Sequence, residues 1–148
     1  MFILGLDLSL NCTGFALLKD QQVLVYGNIN NKKCKLTTQE KLLNIANIIE
    51  PLIIKSDLIK IEDTYCKNVK TLKLLMLVHG MILYFCSKHN KEYKYFTPMN
   101  IKKQLLGTVP KANSKEAVMK KIFKLFSLVD QDIADDNMTD AISIALAK

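Results

Sequence analysis

Apolar and polar positions alternate from the first residues of the chain. Phe2 to Ser9 carry the period-two pattern of a half-buried strand, which predicts β-structure over residues 2–9. Asp7 lies inside that run, among residues that otherwise read as buried sheet. The stretch Asn11 to Gly14 predicts a turn, with Gly14 supplying backbone freedom. Phe15–Leu18 and Val23–Ile29 continue as strands joined by the polar turn Lys19–Gln22, so the chain opens as an antiparallel meander.

The period then changes. Thr37 and Glu40 stand at capping-box spacing, and Leu42, Leu43, Ile45, Ala46 and Ile49 form an apolar helical stripe behind them. Leu58–Glu62 is a short strand. Asn68–Ser87 is a long helix, apolar nearly all round from Leu74 to Leu83. Such a helix is buried on more than one side, by the core or by a second subunit. Glu92–Phe96 is a strand, and Thr97 and Pro98 stop it and start a short helix. Asn113 to Glu116 open another helix, with Val118, Ile122 and either Leu125 or Phe126 inward. The last helix runs from about Asp136 to Ala147. The sum is βββαβαβα plus an extra helix pair. That is an α/β class with a mixed five-stranded sheet, three antiparallel strands then βαβα, flanked by helices. No repeat or linker interrupts residues 1–148, which predicts one domain.

Composition narrows the classes. With 49% hydrophobic and 24% charged residues, the chain has enough apolar content to fold. No apolar run approaches the roughly 20 residues of a membrane span. No basic, apolar, small-residue leader opens the chain, so no signal peptide is expected. Cys12, Cys34, Cys66 and Cys86 are widely spaced, without a zinc-like pattern, and read as reduced thiols of a cytoplasmic protein. The net charge of +7 suits a polyanion partner. Richness in Lys, Asn and Ile is equally what an AT-rich genome encodes, and it leans towards a bacteriophage or low-GC host.

The acids change the picture most. A carboxylate inside a strand is costly unless something pairs with it, and a metal ion is the strongest such partner. Ile3, Gly5, Asp7 and Ser9 share one strand face, with small residues leaving room beside Asp7. Glu62 ends the fourth strand, with Asp63 beside it, and Asp136, Asn137 and Asp140 share one face of the last helix. Acids from separate elements that converge only in the folded chain point to a divalent-metal site. Mg²⁺ is a hard cation that prefers oxygen ligands, and Mn²⁺ accepts the same set. No Ser/His or Cys/His arrangement is evident, and His79 and His89 lie far in sequence from these acids.

These segments resemble the motifs of RuvC-type Holliday junction resolvases, members of the ribonuclease H-like nuclease superfamily. Gly5–Gly14 is similar to the first motif, Ile61–Tyr65 with Lys67 and Asn68 to the second, and Asp136–Ala141 to the last. Ile101–Gly107 and the Ser114–Lys115 segment look like that family's basic region. Three motifs in the right order, over nearly the whole chain, make the resemblance fairly specific. It implies a ribonuclease H-like fold and a homodimer that binds four-way DNA junctions. It also implies Mg²⁺-dependent cutting of two strands of like polarity, with two ions per site. Asp7, Glu62 and Asp140 match the metal-binding, catalytic acids. The fourth family position falls on Asn137, a departure, and Asp136 one step away is the alternative catalytic and metal-binding group. Tyr65 matches an aromatic that stacks on a base, which is worth about 1–3 kcal/mol and ignores sequence. Ser9, Lys67, Asn68, Lys70, Lys102, Lys103, Lys111 and Lys115 become the expected DNA contacts. Lys73 extends the helical spacing of Lys67 and Lys70. Binding through such lysines would be strongly salt-dependent.

Each residue also has a plainer reading. Asp7 could be a buried acid satisfied by backbone donors, and Asp135 or Asp136 an N-cap. Glu62 could pair with Lys60 on the sheet surface. Asp63 is the alternative ligand if the strand register slips by one. Tyr65 could be a packed loop aromatic, and each lysine plain solvated surface. Three functions compete with a junction endonuclease. One is a non-catalytic junction-binding protein. Another is a related ribonuclease H-like nuclease acting on other branched nucleic acids. The third, an actin-like ATPase fragment, needs two such domains, and 148 residues are too few.

Overall fold

The computed structural model describes residues 1–32, 35–63, 66–107, 114–126 and 136–148, with Ser114 and Lys115 described by backbone alone. Its elements follow the order β1 (Phe2–Asp7), β2 (Cys12–Lys19), β3 (Gln22–Asn30), α1 (Thr38–Lys55), β4 (Leu58–Glu62), α2 (Val69–Lys88), β5 (Glu92–Phe96), α3 (Pro98–Leu106), α4 (Ser114–Phe126) and α5 (Asp136–Leu146). The five strands form one mixed sheet in the order β3-β2-β1-β4-β5. Strands β1 to β3 pair antiparallel, and β1, β4 and β5 run parallel. The α/β class, the mixed five-stranded sheet and the order of elements along the chain agree with the sequence pattern.

Local chemistry explains the element ends. Asp20 and Gln21 both adopt positive φ, 49° and 68°, giving the two-residue turn that suits the twist of the β2–β3 hairpin. Thr37 caps α1 by accepting from the Glu40 backbone N–H, and the Glu40 carboxylate accepts from the Thr37 N–H at 2.7 Å. Thr97 caps α3 with Pro98 in its first turn.

Several expectations need correction. β1 stops at Asp7, so Asp7 ends the strand instead of lying in its middle. Leu8 and Leu10 are still buried, at 2% and 6% exposure, which is why alternation persisted beyond the strand. Residues 12–14 belong to β2, and Gly14 takes no left-handed angle. Leu43 is 61% exposed, while Ile45, Ile49 and Ile53 carry the buried stripe of α1. In α4 it is Phe126 that packs inward, and Leu125 is exposed. By length and composition α2 is apolar enough to cross a membrane, contrary to expectation. Here Leu75, Val78, Ile82 and Phe85 pack it onto the sheet. Its outer residues Met76, Leu77 and Tyr84 stay exposed.

The two sheet faces differ. Leu4, Leu6, Leu17, Ile59 and Ile61 face α1 and α2 in one large aliphatic core. On the other face Ala16 and Leu18 meet α4 and α5 through Val118, Ile122, Ala141, Ile142 and Ala145. Side chains alternate along each strand, so Gly5 and Asp7 of β1, Gly14 of β2, and Lys60 and Glu62 of β4 turn to this second face.

Candidate metal and nucleic-acid site

The placement of α5 follows from two glycines. A Cβ on Gly14 would stand 2.1 Å from the Asn137 carbonyl oxygen. One on Gly5 would stand 2.2 Å from the Ala141 carbonyl oxygen and 2.6 Å from the Ala145 nitrogen. Only glycine lets the helix backbone lie this close to the strands. Gly14 is the register partner of Asp7, so the first turn of α5 lies over the strand ends beside Asp7. Asp140, one residue before Ala141, falls between these two contacts. Leu6 pairs with Ile61 across the parallel β1–β4 ladder, which brings Asp7 and Glu62 to the same sheet edge. Three elements therefore converge: the end of β1, the end of β4 and the first turns of α5.

Asp7, Glu62 and Asp140 are each half-buried at this edge. Asn137 is half-buried too, and its amide nitrogen donates to the Cys12 Sγ at 3.1 Å. Asp136 is exposed, and its backbone carbonyl accepts from the Thr139 hydroxyl at 2.8 Å. Among the described residues, no three His, Cys, Asp or Glu side chains are gathered tightly enough to enclose an ion. Asp7, Glu62, Asp136, Asn137 and Asp140 lie along that rim of the sheet. All are hard oxygen donors, and they fit a hard divalent cation.

Beside Asp7 lies a groove of about 390 Å³ between the β1–β2 loop and the start of α2, lined by Ser9, Asn11, Cys66, Thr71 and Leu75 among others. The Ser9 hydroxyl accepts the backbone N–H groups of Asn11 and Cys12, both at 3.3 Å, so it also shapes this loop. Asn68 is the N-cap of α2, accepting from the N–H groups of Lys70 and Thr71 at 3.0 and 3.1 Å. Lys67, Lys70 and Lys73 are exposed at the start of the helix. On α3, Lys102 is half-buried and Lys103 exposed. Tyr65, Lys111 and Asp135 lie outside the described residues, as does the side chain of Lys115.

Two residues matter more than the sequence pattern indicated. His79 is buried on α2, with its Nδ1 3.1 Å from the Tyr95 hydroxyl and the two rings stacked. Far from the motifs in sequence, it nevertheless lines a groove with Asp63, next to Glu62. Burial pushes its pKa down, against the opposing pull of the Asp63 charge. Lys60 is not a surface partner for Glu62. It is 6% exposed, donates to the carbonyl oxygens of Ala145 at 2.8 Å and of Ala147, and sits 5.7 Å from the Phe96 ring centroid. Burial pushes its pKa down, and the charge of Lys94 adds to the effect. A lysine between Ile59 and Ile61 reads in sequence as the polar side of a strand. Its partners are 85 and 87 residues away, out of reach of any local pattern.

Comparison with known proteins agrees with this architecture. The family described as "Crossover junction endodeoxyribonuclease RuvC" matches residues 3–148. The protein of that name from Alkaliphilus oremlandii is 26% identical over 153 residues, covering 99% of this chain and 91% of its own length. Its counterpart from Halothermothrix orenii is 27% identical over 158 residues, covering 99% and 90%. The structure of Thermus thermophilus RuvC in complex with a Holliday junction substrate superposes with a TM-score of 0.85 at 16% identity, covering 99% of this chain and 91% of that one. The ribonuclease H-like fold follows from that superposition, and the family match fixes the enzyme class. This chain belongs to the RuvC family of crossover junction endodeoxyribonucleases.

Proposed function

We propose that this chain, as one nuclease domain over residues 1–148, binds four-way DNA junctions as a homodimer and cuts two strands of like polarity with divalent metal. The observation that carries this reading is the convergence of Asp7, Glu62 and the α5 acids at one sheet edge, enforced by the Gly14–Asn137 contact. Asp7, Glu62 and Asp140 are the residues that would hold the metal, with Asp136 or Asn137 as a fourth ligand. Held by these residues, Mg²⁺ or Mn²⁺, as one ion or two, would supply a polarised water and charge neutralisation at the scissile phosphate.

The rest falls to this chain's own groups. The groove beside Asp7 admits a strand to the acids. Lys67 and Lys70 at one margin, and Lys102 and Lys103 on α3, neutralise backbone phosphates. Lys111, Lys115 and the stacking aromatic Tyr65 complete the proposed DNA contacts, with Ser9 and Asn68 at the groove. The outer α2 face, with Met76, Leu77 and Tyr84 exposed at 47%, 49% and 61%, supports dimerisation by burial of apolar surface. Such an enzyme works where DNA recombines, in the cytoplasm of a bacterial cell or a phage-infected host.

The test is cleavage of a labelled four-way junction against linear duplex, in Mg²⁺ and in EDTA, for wild type and Asp7→Asn. We expect paired, symmetric nicks near the crossover that need both metal and Asp7, with junction binding retained in the variant. A second reading, junction binding without cutting, draws on Asn137, whose amide nitrogen is tied to Cys12. Tight binding with no nicks under Mg²⁺ or Mn²⁺ would establish that reading instead.

A further inference from the structure

The end of α5 remote from the acids holds a second constellation. Helix C-termini leave carbonyls unpaired within the helix and carry partial negative charge. At α5 those carbonyls meet the Lys60 amine, which is buried and donates to Ala145 and Ala147. Along the rest of the helix the backbones approach most closely at small groups, Gly5 and Gly14 below and Ala141, Ala145 and the Asn137 backbone above, with Leu18 and Ile142 packed beside them. That surface fixes how close the helix comes. These contacts are all apolar or steric, and none of them is a directional polar tie between the helix end and β4. Lys60 supplies an axial stop, and it stands on β4 two residues before Glu62, a separation of about 6.6 Å.

We propose that Lys60 is a positioning residue for the acidic site. By holding the C-terminal carbonyls of α5 to β4, it sets where Asp140 stands relative to Glu62. One strand then carries both a site carboxylate and the tether for the helix bearing the others. This inference rests on the function proposed above, because it takes those acids to act together on a divalent ion. An amine donates in either protonation state, so the tether does not depend on Lys60 remaining charged.

The experiment compares wild type with Lys60→Met, Lys60→Arg and Ile53→Val. Ile53 is fully buried on α1, on the opposite sheet face, and controls for lost stability alone. Five quantities are read: amide hydrogen exchange of metal-free protein, Mn²⁺ affinity by calorimetry, junction cleavage, junction affinity in EDTA, and melting temperature. Supporting groups behind metal ligands commonly change affinity by 10- to 100-fold, and Lys60→Met is expected to weaken Mn²⁺ binding by about tenfold. Exchange should quicken across α5 and stay unchanged in α1, cleavage should fall, and junction affinity in EDTA should hold. Lys60→Arg, which keeps donors at that position, should recover most of the Mn²⁺ affinity. Ile53→Val should lower the melting temperature and leave Mn²⁺ affinity alone.

A folded Lys60→Met protein with wild-type Mn²⁺ affinity overturns the proposal, as does equal loss in the Met and Arg variants. Should Lys60→Met fail to fold, Gln104→Ala decides. Gln104 ties the same helix end through the Lys148 backbone, at 3.0 and 2.6 Å. A severalfold weaker Mn²⁺ affinity in that variant is expected, and an unchanged one overturns the proposal. Wild type that neither binds Mn²⁺ nor cuts junctions sinks the function itself. Unchanged α5 exchange in Lys60→Met sinks only the tether.

Discussion

The two faces of the sheet solve different problems. The α1–α2 face is packed with branched side chains: Leu4, Leu6, Ile45, Ile49, Ile53, Ile59 and Ile61 are all fully buried. The α5 face combines Leu18, Ile122 and Ile142 with a line of small residues, Gly5, Gly14, Ala16, Ala141 and Ala145, where the helix approaches the strands, and the carboxylates lie at its rim. Large side chains maximise apolar area removed from water, and that face supplies stability. Small residues give up much of that area so that a helix backbone can approach the strands closely, which brings the start of α5 over the ends of β1 and β4. Mutations on the two faces should therefore fail differently. The first should lose fold without losing rate per folded molecule, and the second should lose rate out of proportion to fold.

The largest expected effect on stability is at Ile49→Ala. Truncating a buried isoleucine removes its transfer free energy and leaves a cavity, at a cost of about 2–5 kcal/mol. Denaturant melts should show that loss. Junction cleavage, normalised to folded protein, should match wild type. A drop in normalised rate comparable with Asp7→Asn would break the division of labour between the faces.

Gly14→Ala should cost less stability and more rate. Its Cβ would stand 2.1 Å from a backbone oxygen, which cannot swing aside as a side chain would. The start of α5 must retreat, at about 1–3 kcal/mol of overpacking strain. A displacement near 1 Å at a reacting centre can slow chemistry by roughly a hundredfold. Parallel melts and single-turnover cleavage at saturating metal separate the two terms. Near-normal rates in a well-folded Gly14→Ala protein would mean that the helix approach is a packing detail and not part of the site.

The contrast between the faces also explains what could be read from the chain. β4 and β5 were legible to the residue, because short apolar or aromatic runs bounded by polar breaks leave little choice of ends. The capping box at Thr37 and Glu40 was legible because its chemistry is local. The three acidic segments were legible as a group through residue type and order. Gly14 was misread because glycine in sequence signals backbone freedom, whereas here it marks the close approach of a helix more than a hundred residues away. The end of β1 was misread because burial of Leu8 and Leu10 continued the alternation after the ladder had stopped. Lys60, read as a surface partner for Glu62, was misplaced for the same reason as Gly14: its partner is a helix end, and no local period encodes it. The face built from large aliphatics announces itself in hydrophobic periodicity. The small residues of the other face, which let α5 approach, depend on tertiary partners, and they flank the candidate site.

The smallest expected effect concerns His79, which sits under the large-residue face but reaches towards the site through Asp63. Burial holds its pKa below the ordinary value, with Asp63 pulling the other way. The folded protein therefore keeps His79 neutral at pH values where the unfolded chain, with a pKa of about 6.5, has begun to bind a proton. Below that pH the unfolded state binds more protons, so stability is fully present above about pH 6.5 and falls as the pH drops through the unfolded pKa. The loss between pH 7 and pH 6 should be well under about 1 kcal/mol, since one partly shifted proton is involved. Denaturant melts at the two pH values, for wild type and His79→Gln, isolate it, and the variant should show a shallower fall. An equal fall in both would assign the acid sensitivity to other groups and leave His79 as a packing residue. A steeper fall in wild-type cleavage than in stability, absent from His79→Gln, would instead tie this buried ring to the acids at the sheet edge, and the two faces would then be coupled through Asp63.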